Sequence, residues 1–283
     1  MSRAFGFIRL IRPVNGLMMG FAVIVGASLV LAEPISPELA LKLLFGFVTA
    51  FTLTSASMAI NDYYDREIDK VNEPNRPIPS GLVKPNESLA FAAILTVVGV
   101  VAAFLTNMVC LLVATVSWIV SVAYATKGKR TGLLGNFLVS SCVAIPFIYG
   151  SLVMEQSLGL EAVFFAALAF LSNTGREVAK GIVDVEGDKA KGMRTVAVSR
   201  GAEAAAYVAS GFFLSAVLLS FLPPLLGLVS AWFVPFVAIA DLGFTGSSVM
   251  LVRDSSRENA RKIKNMALLW MMFSMFSFLA GSL

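Results

Sequence analysis

The sequence predicts an all-α, polytopic membrane protein, a bundle of nine transmembrane helices in a single domain spanning residues 1–283. Three observations lead there. Of 283 residues, 57% are hydrophobic and 14% charged, against about 25% charged in a soluble domain, and the mean hydropathy is +0.81. The apolar residues fall into stretches of roughly 20, the length a helix needs to cross about 30 Å of hydrocarbon. Of the 22 lysines and arginines, 21 fall on one side of the resulting model and only Lys42 on the other. Positive charge in short loops marks the cytoplasm, so the N-terminus is expected inside and the C-terminus outside the cell membrane.

The expected spans are 13–32, 39–60, 87–106, 108–126, 133–154, 160–180, 202–222, 225–252 and 263–282. The first follows Arg3, Arg9 and Arg12 and is too long for the apolar core of a signal peptide, so it reads as a retained helix. Pro34 and Pro37 punctuate the next connection. Pro74, Pro77, Pro79 and Gly81 rule out helix after the second span. The third and fourth spans divide near Thr106-Asn107, and Pro223-Pro224 marks a tight turn between the seventh and eighth. Within the eighth, Pro235 and Gly243 flank Asp241, where a local break would expose backbone groups to that carboxylate.

Composition also limits the chemistry. There is no histidine, and the two cysteines, Cys110 and Cys142, lie inside apolar segments. No zinc site or Cys/His nucleophile can be assembled from that set. A bound metal must be held by oxygen, which favours Mg²⁺ or Mn²⁺.

Two acidic motifs lie at cytoplasmic span ends. After the second span come Asn61-Asp62-Tyr63-Tyr64-Asp65-Arg66-Glu67-Ile68-Asp69. At about 100° per residue, Asn61, Asp62, Asp65 and Asp69 share an arc of roughly 100° on one helix. Such a face repels itself unless a cation sits among the oxygens. The sixth span ends in Arg176, Lys180, Asp184 and Asp188, spaced four apart on a common stripe. That stripe reads either as a ladder of ion pairs, Lys180 with Asp184 among them, or as a second metal site with Arg176 and Lys180 reaching toward phosphate. Two acidic faces on one side suit a diphosphate bridging two metal ions, with Arg76, Lys127, Lys129, Arg130, Arg176 and Lys180 as neutralising cations. Geometry alone leaves a transporter of anions or lipids open.

The first motif, followed by Asn72-Glu73-Pro74-Asn75-Arg76-Pro77-Ile78-Pro79-Ser80-Gly81, resembles a signature of the UbiA superfamily of intramembrane prenyltransferases. Lys180-Gly181-Ile182-Val183-Asp184-Val185-Glu186-Gly187-Asp188 resembles its second signature. The resemblance covers essentially the whole chain. It implies helices around a central cavity opening to the cytoplasm, Mg²⁺ as cofactor, and a prenyl diphosphate as substrate. It implies Asn61, Asp65, Asp184 and Asp188 as ligands, supported by Asp62 and Asp69. Asp65, Asp184, Lys127 and Lys129 are the expected catalytic group. Many members carry Tyr-x-x-x-Lys where this chain has Tyr124 followed by Lys127 and Lys129, which leaves open which lysine meets the diphosphate.

Within the superfamily, Arg12-Pro13-Val14-Asn15, Lys129-Arg130-Thr131-Gly132-Leu133-Leu134-Gly135-Asn136 and the run from Arg176 to Thr195 resemble the archaeal digeranylgeranylglyceryl phosphate synthases. That implies a lipid acceptor, with Arg12, Asn15 and Tyr124 joining the basic residues in substrate binding. Membrane lipids surround the protein, and neither a nucleic acid nor an obligatory protein partner is expected. An aromatic acceptor of quinone or chlorin type is the alternative within the superfamily. A CDP-alcohol phosphotransferase is disfavoured because its Asp-Gly-x-x-Ala-Arg opening is missing. The basic run Arg253 to Lys264 reads as a determinant of topology and anionic-lipid contact.

Overall fold

The computed structural model describes residues 3–30, 36–153, 158–190 and 192–282. Among these, the regular structure is helical and no strand is present. In chain order the helices are α1 (Arg3–Ile11), α2 (Pro13–Ser28), α3 (Pro37–Asn72), α4 (Pro85–Thr106), α5 (Met108–Thr126) and α6 (Leu133–Val153). They continue with α7 (Leu160–Val183), α8 (Val185–Ala190), α9 (Val196–Ser220), α10 (Leu222–Leu225), α11 (Phe233–Arg253) and α12 (Arg257–Gly281). They cluster into two compact groups. One takes Met1–Gly128 with Ile145–Ser157, the other Lys129–Ala144 with Leu158–Leu283.

Local chemistry sets the boundaries. Ser36 accepts from the Leu39 amide at 3.2 Å to open α3, with Pro37 in the first turn. Asn107 closes α4 and opens α5, its side chain accepting from Cys110 N at 2.7 Å and donating to the Leu152 carbonyl at 2.9 Å. The expected division at Thr106-Asn107 is therefore present. Thr195 caps α9 and Ser256 caps α12, each accepting an amide at 3.3 Å. The proline-rich stretch after α3 forms turns, as expected, and Gly81 takes φ 77°.

In the first group, α3 packs against α1, α2, α4 and α5. A Cβ on Gly26 would stand 2.1 Å from the Phe147 carbonyl oxygen, and one on Gly150 2.0 Å from that of Val23. Helix α2 and the end of α6 thus meet backbone to backbone, a contact that small residues allow between membrane helices. Ile94, Val97, Val101 and Phe104 recur at helical spacing on the exposed side of α4, an apolar stripe suited to lipid rather than water. In the second group, α9 packs on α7 and α11, and α12 on α7 and α11. Phe165, Phe233 and Phe278 stack in its core.

The protein is a multi-pass membrane protein. Among the described residues, seven helices are long and apolar enough to cross a bilayer, and α1 with α2, bent by 42°, make an eighth if counted as one span. The nine expected spans exceed that count. The one outside the count is α7, whose second half carries Ser172, Asn173, Thr174, Arg176, Glu177 and Lys180. Other differences are at the ends. Helix α3 continues past residue 60 through the whole acidic motif. The eighth span begins at Phe233, because Pro223, Pro224 and Gly227 (φ 69°) hold the preceding residues in the short α10 and a turn. The expected break around Asp241 is not there. Helix α11 runs unbroken, and Asp241 accepts instead from the Ser220 hydroxyl at 2.7 Å. Pro34, Met154 and Lys191 lie outside the described residues.

Candidate active site

The acidic face of α3 forms as the helical spacing requires, and it is buried. Asp62, Asp65 and Asp69 are 1%, 5% and 2% exposed. Three carboxylates in that position need compensation, since an unpaired buried charge is strongly destabilising. Two arginines from outside the helix provide it for Asp62 and Asp69. Arg76, in the turns after α3, donates to Asp69 at 2.6 Å and stands 3.5 Å from Asp62. Arg12, between α1 and α2, donates to Asp62 at 2.5 Å and places a second nitrogen 3.5 Å from Met58 Sδ. Burial works to lower the Arg76 pKa, but the charges of Asp62 and Asp69 outweigh it and raise it above its ordinary value.

Between these ion pairs lies a different contact. The Asn61 amide donates to Asp65 at 3.0 Å, one helical turn along. The two residues singled out as ligands are thus joined to each other, whereas Asp62 and Asp69 each carry an arginine. Arg12 adopts φ 46°, a left-handed conformation that costs a non-glycine residue about 1 kcal/mol or more. Its carbonyl accepts from the Asn15 amide at 2.9 Å, opening α2. Arg12 and Asn15 therefore sit together at the bend, where Arg12 is engaged with Asp62.

In the second group the polar end of α7 is organised around Glu177, which sequence reasoning passed over. Its carboxylate, 9% exposed, meets Arg176 at 2.9 Å and Lys180 at 3.2 Å, and Lys129 is within electrostatic reach. Lys180 therefore pairs three residues back rather than with Asp184. The signal was present as Arg176-Glu177-x-x-Lys180, since residues three apart share a helix face as surely as those four apart. Asp184 ends α7, and Asp188 lies in α8 with its amide donating to the Asp184 carbonyl at 2.9 Å. The pair keeps a one-turn spacing across a change of helix; Asp188 is buried and Asp184 partly exposed.

The remaining residues separate by environment. Lys127 is exposed at the end of α5, and Tyr124 is half-buried on that helix. Lys129 is half-buried in the short 3₁₀ turn Gly128–Thr131, on the Glu177 side. The Arg130 carbonyl accepts from the Arg194 amide at 3.4 Å. Gly132, at φ 69°, would bring a Cβ within 2.1 Å of the Arg194 carbonyl oxygen, so the turn needs glycine there.

No three acidic side chains among the described residues converge on one point as a self-contained metal cage. Asn61 with Asp65, and Asp184 with Asp188, are each a pair of oxygen-bearing side chains one helical turn apart.

The helical architecture agrees with what the chain is similar to. The model of the UbiA prenyltransferase family matches residues 19–275, a stretch that takes in both helix groups. Digeranylgeranylglyceryl phosphate synthase of Methanothermobacter thermautotrophicus is 32% identical over 98% of this chain and 95% of its own. A solved structure described as giving insight into digeranylgeranylglyceryl phosphate synthase in membranes is 29% identical, with TM-score 0.76, covering 100% of this chain and 99% of that one. A UbiA homologue from Archaeoglobus fulgidus, solved with GPP and Mg²⁺, shares the fold at TM-score 0.68 and 15% identity, covering 97% of this chain and 99% of that one. With the family model matched over nearly its whole length, the chain belongs to the UbiA prenyltransferase family.

Proposed function

We propose that this protein transfers a geranylgeranyl group from its diphosphate to the free hydroxyl of geranylgeranylglyceryl phosphate, a Mg²⁺-dependent step of ether-lipid biosynthesis. The observation that carries the reading is the buried acidic face of α3 with its two arginines, in a chain similar along nearly its whole length to enzymes named for that product.

The residues divide the work by charge. Arg12 and Arg76 hold Asp62 and Asp69, which keeps the face intact. Asn61 with Asp65, and Asp184 with Asp188, would hold Mg²⁺, which neutralises diphosphate charge and so makes it a better leaving group. Lys129, Arg176 and Lys180 stabilise the departing pyrophosphate. Of the two lysines, Lys129 is favoured for this role because it lies by Glu177 with Arg176 and Lys180, whereas Lys127 is exposed. The prenyl chain and the allylic cation it forms belong among the apolar helices, where water is scarce.

The topology that goes with this has nine spans, counting α7 as the sixth in chain order, with the N-terminus inside and the C-terminus outside. Ion pairing lets α7 carry its charges at a membrane edge. Lys127 and Arg130, basic residues beyond those assigned to the acidic face and the diphosphate, favour a phosphorylated acceptor.

The test is turnover of geranylgeranyl diphosphate by purified protein with geranylgeranylglyceryl phosphate, its dephosphorylated form and 4-hydroxybenzoate. Losing a charge-assisted contact to the acceptor phosphate is worth roughly 1.5–3 kcal/mol, tenfold or more in apparent affinity. The phosphorylated lipid is expected to win by at least that margin. Equal use of both lipids, or preference for the aromatic acid, overturns the acceptor assignment.

A further inference from the structure

The basic run at the start of α12 does more than set topology. Arg257 donates its Nε–H to the carbonyl of Val183 at 3.0 Å. Val183 is the last residue of α7, immediately before Asp184. A helix leaves its final carbonyls without intrahelical amide partners, and a cation is favoured there. The same guanidinium lies 4.0 Å from Glu186 in α8. Arg257 thus touches both sides of the change of helix on which Asp184 and Asp188 stand.

Its own position is well defined. Asp254 accepts from the Ser256 amide at 2.9 Å and its hydroxyl at 3.0 Å, and Ser256 caps α12. Asn259 closes the corner by donating to the carbonyls of Met250 at 3.0 Å and Asp254 at 2.6 Å. A second tie lies deeper. Arg176 of α7 donates its Nε–H to the Lys264 carbonyl at 3.2 Å. From 176 to 183 and from 257 to 264 are both seven residues, so the ties join antiparallel helices in matching register, about two turns apart.

We infer that Arg257 is a positioning residue for the second acidic motif, holding the α7–α8 joint so that Asp184 and Asp188 keep the spacing a divalent cation needs. The inference rests on the reading of those aspartates given above. A charge serving topology alone would be interchangeable with its neighbours, and Arg253, exposed at the end of α11, provides the comparison.

The experiment is direct titration of the detergent-solubilised full chain with Mn²⁺, followed by its electron paramagnetic resonance in the presence of geranylgeranyl diphosphate, alongside kcat and KM. Arg257→Ala should weaken Mn²⁺ binding about tenfold and raise the metal concentration for half-maximal activity in parallel. Arg257→Lys should recover part of the loss, and Arg253→Ala should bind as the wild type does. If Arg257→Ala does not insert, Arg257→Lys, which keeps the charge, is judged alone against Arg253→Lys. Asp184→Ala separates the two ideas. If it binds Mn²⁺ normally, the reading of the motif fails. If it loses the metal while the Arg257 variants keep wild-type affinity, the inference about Arg257 is overturned.

Discussion

Arg76 donates to Asp69 at 2.6 Å, and both side chains are largely withdrawn from solvent, at 25% and 4% exposure. The guanidinium comes from a turn beyond the end of α3 and reaches back along the helix it has just left. The second carboxylate it serves, Asp62, lies two turns from the first, and its Oδ1 is shared with Arg12.

Removing that arginine leaves Asp69 without its partner and Asp62 with one of two. Breaking a buried pair from one side costs about 3 kcal/mol. Arg76→Ala should therefore lower the thermal midpoint in detergent by several degrees, and Arg76→Lys by less. An unchanged midpoint would mean that the acidic face is stable without its turn.

Glu177 is expected to matter through the cations it holds. In Glu177→Gln, Arg176 and Lys180 remain as adjacent positive charges without the carboxylate that orients them. Loss of one well-placed charge-assisted contact is worth about 1.5–3 kcal/mol, so KM for the prenyl diphosphate should rise about tenfold. Steady-state kinetics checks this. A change in kcat at constant KM would place Glu177 elsewhere in the reaction.

The proposed reaction depends on a metal held by oxygen ligands, since the chain has no histidine. Activity should vanish in excess chelator and return with Mg²⁺ or Mn²⁺. If Asp65 and Asp184 are the oxygen ligands proposed above, Asp65→Ala and Asp184→Ala should each lower turnover by orders of magnitude, by weakening the hold on a charge-neutralising ion. Full turnover by both variants would falsify the two-metal reading.

Topology is open to labelling. In a Cys142→Ser background, cysteines at Lys84 and Arg253 should react with impermeant thiol reagents only in inside-out vesicles, since both stand in basic connections. Labelling of either in intact cells would contradict the nine-span arrangement.

Much of the fold and part of the site were legible in the sequence. Apolar runs are a property of composition over about 20 residues, so they mark membrane helices before any packing is known. Caps act locally, and Asn107, Ser36 and Ser256 each satisfy an amide three residues on. The alignment of Asn61, Asp62, Asp65 and Asp69 followed from helical periodicity alone. Lys180 was harder, because a helix offers a cation partners at both three and four residues, and only packing decides between Glu177 and Asp184.

The sequence by itself determined the helical membrane class, the placement of the long helices and the oxygen-only character of any metal site. These depend on residue type and spacing along a single helix. Tertiary structure alone decided that Arg12 and Arg76 meet the α3 aspartates, that Asp241 bonds Ser220 across helices in an unbroken α11, and that Arg257 reaches the end of α7. Those contacts join residues up to 74 positions apart. A long side chain can satisfy its charge on any neighbour within reach, and which neighbour that is depends on how the helices pack.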